Sequence, residues 1–289
     1  MTYSIVARDP RTGDLGVAVQ TCMFAVGSIV PYAQNGIGAV ATQAFSESAY
    51  GPRCLEAMAN GMSASDALAQ ARALDPGEAL RQVGVIDVDG NAAAFTGDLC
   101  IDFAGHYVGD GYAVQANMMA SDRVWPAMAE AYEHANGDFA DRLLVALVAG
   151  ERAGGDARGR MSAAMLVAGE IAIDLRVDHH AEPVEELTRL SRVATAFRGF
   201  NRSTEALFGG DPEEALRQID AALALCPDDE NLRFLRSGAL VFSGRVEQAA
   251  AIVRELVSSR PSWATVIRSF ANKGLMPLPD GVDVESFIP

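Results

Sequence analysis

Residues 2–19 constrain the fold more than any other stretch. Thr2–Arg8 alternates as a strand, Asp9-Pro10-Arg11-Thr12-Gly13-Asp14 is a turn cluster, and Leu15–Val19 returns almost wholly apolar. A nearly continuous apolar strand is one covered on both faces. A chain start ordinarily frays; this one enters the interior of a sheet at once, with Thr2 opening the strand. Removal of Met1, which the small side chain of Thr2 permits, would leave a hydroxyl and a free α-amine on one residue. That amine has a reference pKa of about 8. It can take the hydroxyl proton directly or through one water, in place of a triad histidine. The plain alternative is that Thr2 is one more strand-forming residue.

Antiparallel pairing continues along the chain. Ser28–Gln34 and Gly36–Thr42 flank Asn35-Gly36, a hairpin dipeptide, so four strands are complete by Thr42. A helix is predicted over Tyr50–Asn60, and Ser63-Ala64-Ser65-Asp66 caps a second. Strands resume over Arg81–Asp87, Ala92–Thr96, near His106–Val108 and over Tyr112–Asn117. Asp122–Asn136 and Asp138–Ala153 form another helix pair, and Met161–Ala168 and Glu170–Val177 are the last strands of this part. Strands come in hairpins and helices in pairs, which is not the βαβ alternation of a parallel sheet. The order predicts an α+β fold over residues 1–182: two antiparallel sheets stacked face to face, each covered by a helix pair, in four αββα layers.

From Pro183 the pattern is all-helical. A single offset carries Gly210 to Gly244, Ala215 to Ala249, Ile219 to Val253 and Pro227 to Pro261. This spacing resembles two tetratricopeptide repeats, whose period is about 34 residues, with Trp263–Asn272 as a capping helix. The expected division is 1–182, a helical module over 183–275, and a Pro-rich extended tail over 276–289. A repeat module of this kind implies a protein partner, and a homo-oligomer is expected.

Composition sets limits. The formal net charge of −15 argues against nucleic acid or an anionic membrane surface, both of which need Lys and Arg. No run of 18 apolar residues is present, so no transmembrane helix is expected. The start MTYSIVARD has no basic region followed by an apolar run, unlike a secretory signal. A cytoplasmic location is expected, with Cys22, Cys54, Cys100 and Cys226 as free thiols.

Several segments together resemble one bacterial family. They are MTYSIVARDPRTGDLGVAV, AVGSIVPYAQNGIGAVATQAF, YGPRCLE, LRQVGVIDVDG, AAFTG, GDGYAVQANMM and GGDARGRMSAAMLV, covering about Thr2 to His180. The family is a domain of unknown function, 1028, classed as similar to the N-terminal-nucleophile (Ntn) hydrolases. The resemblance implies the αββα sandwich, and a nucleophile that cleaves amide bonds at the position of Thr2. Two departures from the family pattern stand at Ala116, where Gly is expected between Gln115 and Asn117, and at Met161, where Gln is expected. Both bear on substrate contacts rather than on the nucleophile.

Amide hydrolysis needs a nucleophile, a base, oxyanion donors and an anchor for substrate. Thr2 supplies the first two. Ser4 shares its strand face, and Thr21 and Cys22 end the neighbouring strand. Cys22 as nucleophile lacks an adjacent base. Gln115 and Asn117 alternate to one face of their strand, and their amides suit an oxyanion hole; the alternative is a buried amide that satisfies backbone groups. Gln43 and Tyr50, with Ser46 between them, lie where a strand runs into a loop, a usual place for substrate contacts; Ser46 or Ser48 as a helix cap is the alternative. Asp156, Arg158 and Arg160 lie in a Gly-rich loop, where an Arg can hold a carboxylate bidentately and Asp156 can hold an amine. His179 and His180 would point to opposite faces of a strand, His106 stands alone, and no His/Asp/Glu spacing resembles a metal site. No metal or cofactor is expected. The reading is an N-terminal-threonine amidohydrolase acting on a small amide or short peptide; the other is an inactive αββα scaffold whose repeats bind a partner.

Overall fold

The computed structural model describes residues 2–170, 172–276, 278 and 283–288. It divides into two compact units, Met1–Ser191 and Arg192–Pro289.

In the first unit, β1 (Thr2–Arg8) pairs antiparallel with β2 (Leu15–Thr21) through the turn at Asp9–Asp14. β3 (Pro31–Gln34) and β4 (Gly38–Ala44) form the second hairpin. The strand expected from Ser28 begins at Pro31 instead, because the preceding turn, a single 3₁₀ turn over Val26–Ser28, runs on through Ser28. Helices α1 (Tyr50–Ala59) and α2 (Ala64–Ala73) follow. Ser63 caps α2 by accepting from the Asp66 N–H. No side chain caps α1; instead Glu47, between the two serines considered for that role, accepts from the Ala49 N–H. Then come β5 (Arg81–Asp87), β6 (Ala92–Thr96), β7 (Gly105–Gly109), β8 (Tyr112–Asn117), α3 (Val124–His134), α4 (Phe139–Arg152), β9 (Ser162–Ala168) and β10 (Ile173–Val177).

The strands form a six-stranded sheet, β10-β9-β2-β1-β8-β7, and a four-stranded sheet, β3-β4-β5-β6, both antiparallel. Alternation decides what each face buries. Tyr3, Ile5, Ala7, Val114 and Met165 pack on Met128, Leu143 and Leu147 of α3 and α4. Val40, Val83 and Val85 pack on Tyr50, Cys54, Met58 and Leu68 of α1 and α2. Between the sheets lie Val6, Val17, Val19, Ala39, Ala41, Ile86 and Ala113. The layers are therefore helix pair, sheet, sheet, helix pair. β1 is interior in every direction, which is why its sequence tolerates so little polarity toward α3 and α4.

Helix α5 (Pro183–Phe208) runs across the division between the units. Its start belongs to the first unit because Val184 and Leu187 are buried in the core under α3 and α4. The first unit thus extends to Ser191, past the change of texture at 182. In the second unit, α6 (Pro212–Leu225), α7 (Glu230–Phe242), α8 (Val246–Ser259) and α9 (Trp263–Asn272) follow. The repeat offset holds in three dimensions. Pro212 opens α6 and Val246 opens α8, separated by the same interval as the matched residues. Gly210 and Gly244 both take positive φ before them, and Ala215, Ile219, Ala249 and Val253 are all fully buried. The expected extended tail lies partly outside the described residues. Its described part departs from that expectation: Val284–Phe287 makes a 3₁₀ turn that buries Phe287 with Val253, Val257 and Ile267. Among the described residues no helix is long and apolar enough to cross a membrane.

Candidate active site

At one end of the inter-sheet space the lining changes from Val and Ala to polar side chains. Thr2 begins β1, opposite Thr21 at the end of β2 and Asn117 at the end of β8. All three are buried. The Thr2 hydroxyl donates to Thr21 Oγ1 at 3.2 Å. The Thr2 carbonyl accepts from Gln43 Nε2 at 3.1 Å and from Asn117 Nδ2 at 3.4 Å. Those two amides converge again on Gln82 Oε1, at 2.8 and 2.9 Å. Gln82 is oriented in turn, its Nε2 donating to Thr96 Oγ1 and to the carbonyls of Gly105 and Ala116. Because Gln82 Oε1 receives two N–H donors while its nitrogen faces acceptors, the network itself determines which end of each amide is which.

One step deeper, Ser4 donates to Gln43 Oε1 and accepts from Gln115 Nε2, both at 2.6 Å. Gln115 therefore lies across the sheets, away from any opening. Gly84 on β5 makes room for it, since a Cβ there would lie 2.3 Å from Gln115 Oε1. The sequence assigns Gln115 as an oxyanion donor; in the structure its donor is engaged by Ser4. Ala116, one of the two departures, points the other way, into the core with α3 and α4. A methyl there costs the site no room.

Asn117 also lines a recess of about 50 Å³ with Ala44, Phe45, Cys100, Ile101 and Met118. Ala44 and Met118 hold left-handed backbone conformations, φ 70° and 55°, at the ends of β4 and β8. Non-glycine residues hold that conformation only when the surroundings impose it, and they concentrate at functional sites. Around this end the loops expose Met23, Phe24, Phe45, Leu99, Ile101 and Phe103, so the mouth is apolar.

The Gly-rich loop closes another side. Asp156 accepts from the Cys22 N–H at 3.3 Å and from Arg158, through its backbone N–H at 2.9 Å and its guanidinium at 3.2 Å. The Ala157 N–H donates to the Met118 carbonyl, and the Met161 N–H to the Thr21 carbonyl. Burial first, then the Asp156 carboxylate, push the Cys22 thiol up. A thiol held protonated is a poor nucleophile, so the chemistry here favours Thr2 over Cys22.

Two expected contacts fall elsewhere. Tyr50 is fully buried on the α1 side of the four-stranded sheet and donates to Asp75, which also holds Arg81. Burial and Asp75 push its phenol far up. Arg160 pairs with Glu151 and Glu182, and Glu151 accepts from the Tyr3 hydroxyl; that cluster is on the helix side of the six-stranded sheet. Sequence reasoning missed Gln82. Its signal was present: a glutamine alternating with Gly84 and Ile86 on the inner face of an otherwise apolar strand. Among the described residues no group of three or more His, Cys, Asp or Glu could hold a metal ion.

Fold and site together define an α+β protein of two stacked antiparallel sheets with a buried polar centre built on the first residue of its innermost strand. A family model matches residues 2–187, and the chain belongs to that family of unknown function, DUF1028. A crystal structure of a protein from Silicibacter pomeroyi, assigned to the same family, is 36% identical with a TM-score of 0.64, covering 67% of this chain and 86% of that one. No curated protein matches the chain.

Proposed function

We propose that the first unit is an Ntn-type amide hydrolase in which Thr2, freed by removal of Met1, is the nucleophile. The observation that carries this reading is the clamp on Thr2. A backbone carbonyl at the first residue of a strand is held by two side-chain amides, themselves held by a third. A scaffold would be served better by the Val and Ala that fill the rest of the inter-sheet space, because a buried polar network is costly unless fully satisfied. Held this way, Thr2 is fixed in orientation next to Asn117, which lines a small recess, and fixed orientation is what covalent catalysis requires.

In this mechanism the Thr2 oxygen attacks the carbonyl carbon of the amide and its proton passes to the α-amine. The resulting alkoxide collapses, the C–N bond breaks, and the departing nitrogen takes that proton. Water then hydrolyses the Thr2 ester, releasing the acid. Asn117, at the boundary between clamp and recess, directs its amide N–H groups to the Thr2 carbonyl and Gln82 Oε1, so it meets substrate through its oxygen or by releasing the 3.4 Å contact to Thr2. The apolar lining suits a small amide or short peptide with an apolar group beside the scissile bond. Asp156 and Arg158 hold the loop that closes the site. The repeats of the second unit are of tetratricopeptide type in this reading, on the strength of the periodic correspondence of α6 and α8.

The test begins with the chain produced without an N-terminal tag and its intact mass. The expected result is loss of Met1, hydrolysis within a panel of small aminoacyl and acyl amides, and mass labelling of Thr2 by a β-lactone. Thr2→Ala abolishes turnover and labelling with the fold retained. Retention of Met1 in every preparation, or turnover unchanged in Thr2→Ala, removes Thr2 from the mechanism.

A further inference from the structure

The second unit contains an apolar cavity of about 270 Å³. It lies among α5, α7, α9 and the residues just after α9, with Phe200, Leu207, Phe234, Leu235 and Gly238 forming much of its wall. Its one hydroxyl, on Thr204, donates to the Phe200 carbonyl one turn back and is not offered to a guest. Among the described residues no charged side chain lines it. Phe208, Phe270 and Leu275 are its solvent-exposed members and mark where it opens.

Gly238 is a second, independent sign. It is buried at the middle of α7, where glycine weakens a helix relative to alanine. Among the described residues nothing lies within 4 Å of where its Cβ would be. No neighbour requires the glycine, its φ is not in the left-handed region, and a larger residue would simply fill the space. The helix is weakened at a position where a side chain would enter the cavity. Apolar cavities of about 150 Å³ stay dry and take up benzene; this one is nearly twice that volume.

We propose that this cavity is a binding site for an uncharged hydrocarbon group, a medium-length alkyl chain lying against Gly238 between α5 and α7. Among the described residues the wall offers no partner for a charge, and its Thr204 hydroxyl spends its proton on the Phe200 carbonyl, so a charged head stays at the opening by Phe208. The site is separate from the centre at Thr2, and its test does not depend on amide hydrolysis.

The experiment is a fluorescence titration of the full chain with N-phenyl-1-naphthylamine, followed by displacement with 1-decanol. Saturable uptake of one probe per chain, displaced by the alcohol, is expected. Gly238→Leu should weaken uptake at least tenfold while its melting temperature stays at or above that of the parent. Should the leucine prevent folding, Gly238→Ala serves, since its methyl enters open space; it should raise the melting temperature and weaken uptake severalfold. Uptake that is unchanged in the folded variants places the probe elsewhere, for example on the exposed Phe24 and Phe45, and overturns the proposal. Absence of saturable uptake up to the probe's solubility limit overturns it too, and leaves the cavity to a side chain of another protein.

Discussion

Gln82 is the residue on which the polar centre turns. Its Oε1 is the shared acceptor of the Gln43 and Asn117 amides, so Gln82→Leu takes one acceptor from each, leaving Gln43 the carbonyls of Thr2 and Gln115 and Asn117 that of Thr2 alone. Each such loss costs roughly 1–3 kcal/mol, so a fall of about 2–6 kcal/mol in the urea-unfolding stability of the first unit is expected. Loss of any Thr2-dependent turnover should accompany it. Tyr50→Phe is the contrast. It removes one hydrogen bond to Asp75, which keeps Arg81, so about 1 kcal/mol is at stake and turnover should be unchanged. Equal losses of turnover in the two variants would mean that the clamp has no special role. Gln82 also reaches His106 through Thr96. Its nitrogen donates to Thr96 Oγ1, which also lies within hydrogen-bond distance of His106 Nδ1, at 2.8 Å. Burial draws the His106 pKa below its ordinary value. Between the lowered folded value and about 6.5, the unfolded chain binds more protons than the folded one. Stability therefore declines as pH falls below about 6.5 and levels off below the folded value. Urea midpoints at pH 5, 6 and 7.5 measure this slope, and His106→Gln should flatten it.

At the scale of elements, the two sheets touch through alternation, and a small residue on one marks a large one on the other. Gly84 on β5 and Gln115 on β8 are such a pair. Gly84→Ala would drive the Gln115 amide from Ser4, at an expected cost of about 1–3 kcal/mol. Gln115→Ala in the same chain should return part of that loss, and a double-mutant cycle reads the coupling; additive effects would mean that the two do not compete for space. Much of this level was legible beforehand. β1, β5, β6 and β8 have the bounds their alternation predicts, because each is bracketed by turn residues and faces a core on at least one side. Ser28–Val30 departs from its expected strand because an apolar run of that length does not distinguish a strand from a 3₁₀ turn. The site was half legible. Thr2, Asn117 and Gln43 share the inner face by parity, which sequence shows. Gln82 joins them only because β4 pairs with β5 across the intervening helices α1 and α2, and Tyr50 leaves them only because α1 covers the outer face. Nothing local in the chain specifies either pairing.

At the scale of the molecule, the cores of the two units share no residue. Met128, Leu143 and Leu147 belong to one, Leu232, Leu240 and Ala249 to the other, and helix α5 runs from the first into the second. Chains built this way need not unfold in one step. Leu232→Ala, a fully buried truncation in α7, should cost about 2–5 kcal/mol and lower the melting of the helical unit alone. Gln82→Leu should lower the melting of the two-sheet unit alone. Calorimetry of the full chain with far-ultraviolet circular dichroism reads the two, because the helical unit dominates the helical dichroism per residue. If both substitutions displace a single common transition by similar amounts, α5 transmits folding between the units as one cooperative body. A ligand held at Gly238 would then stabilise the sheets around Thr2 as well, and adding 1-decanol to the Gln82→Leu chain would raise its melting point. If the transitions move separately, decanol should raise the helical one only.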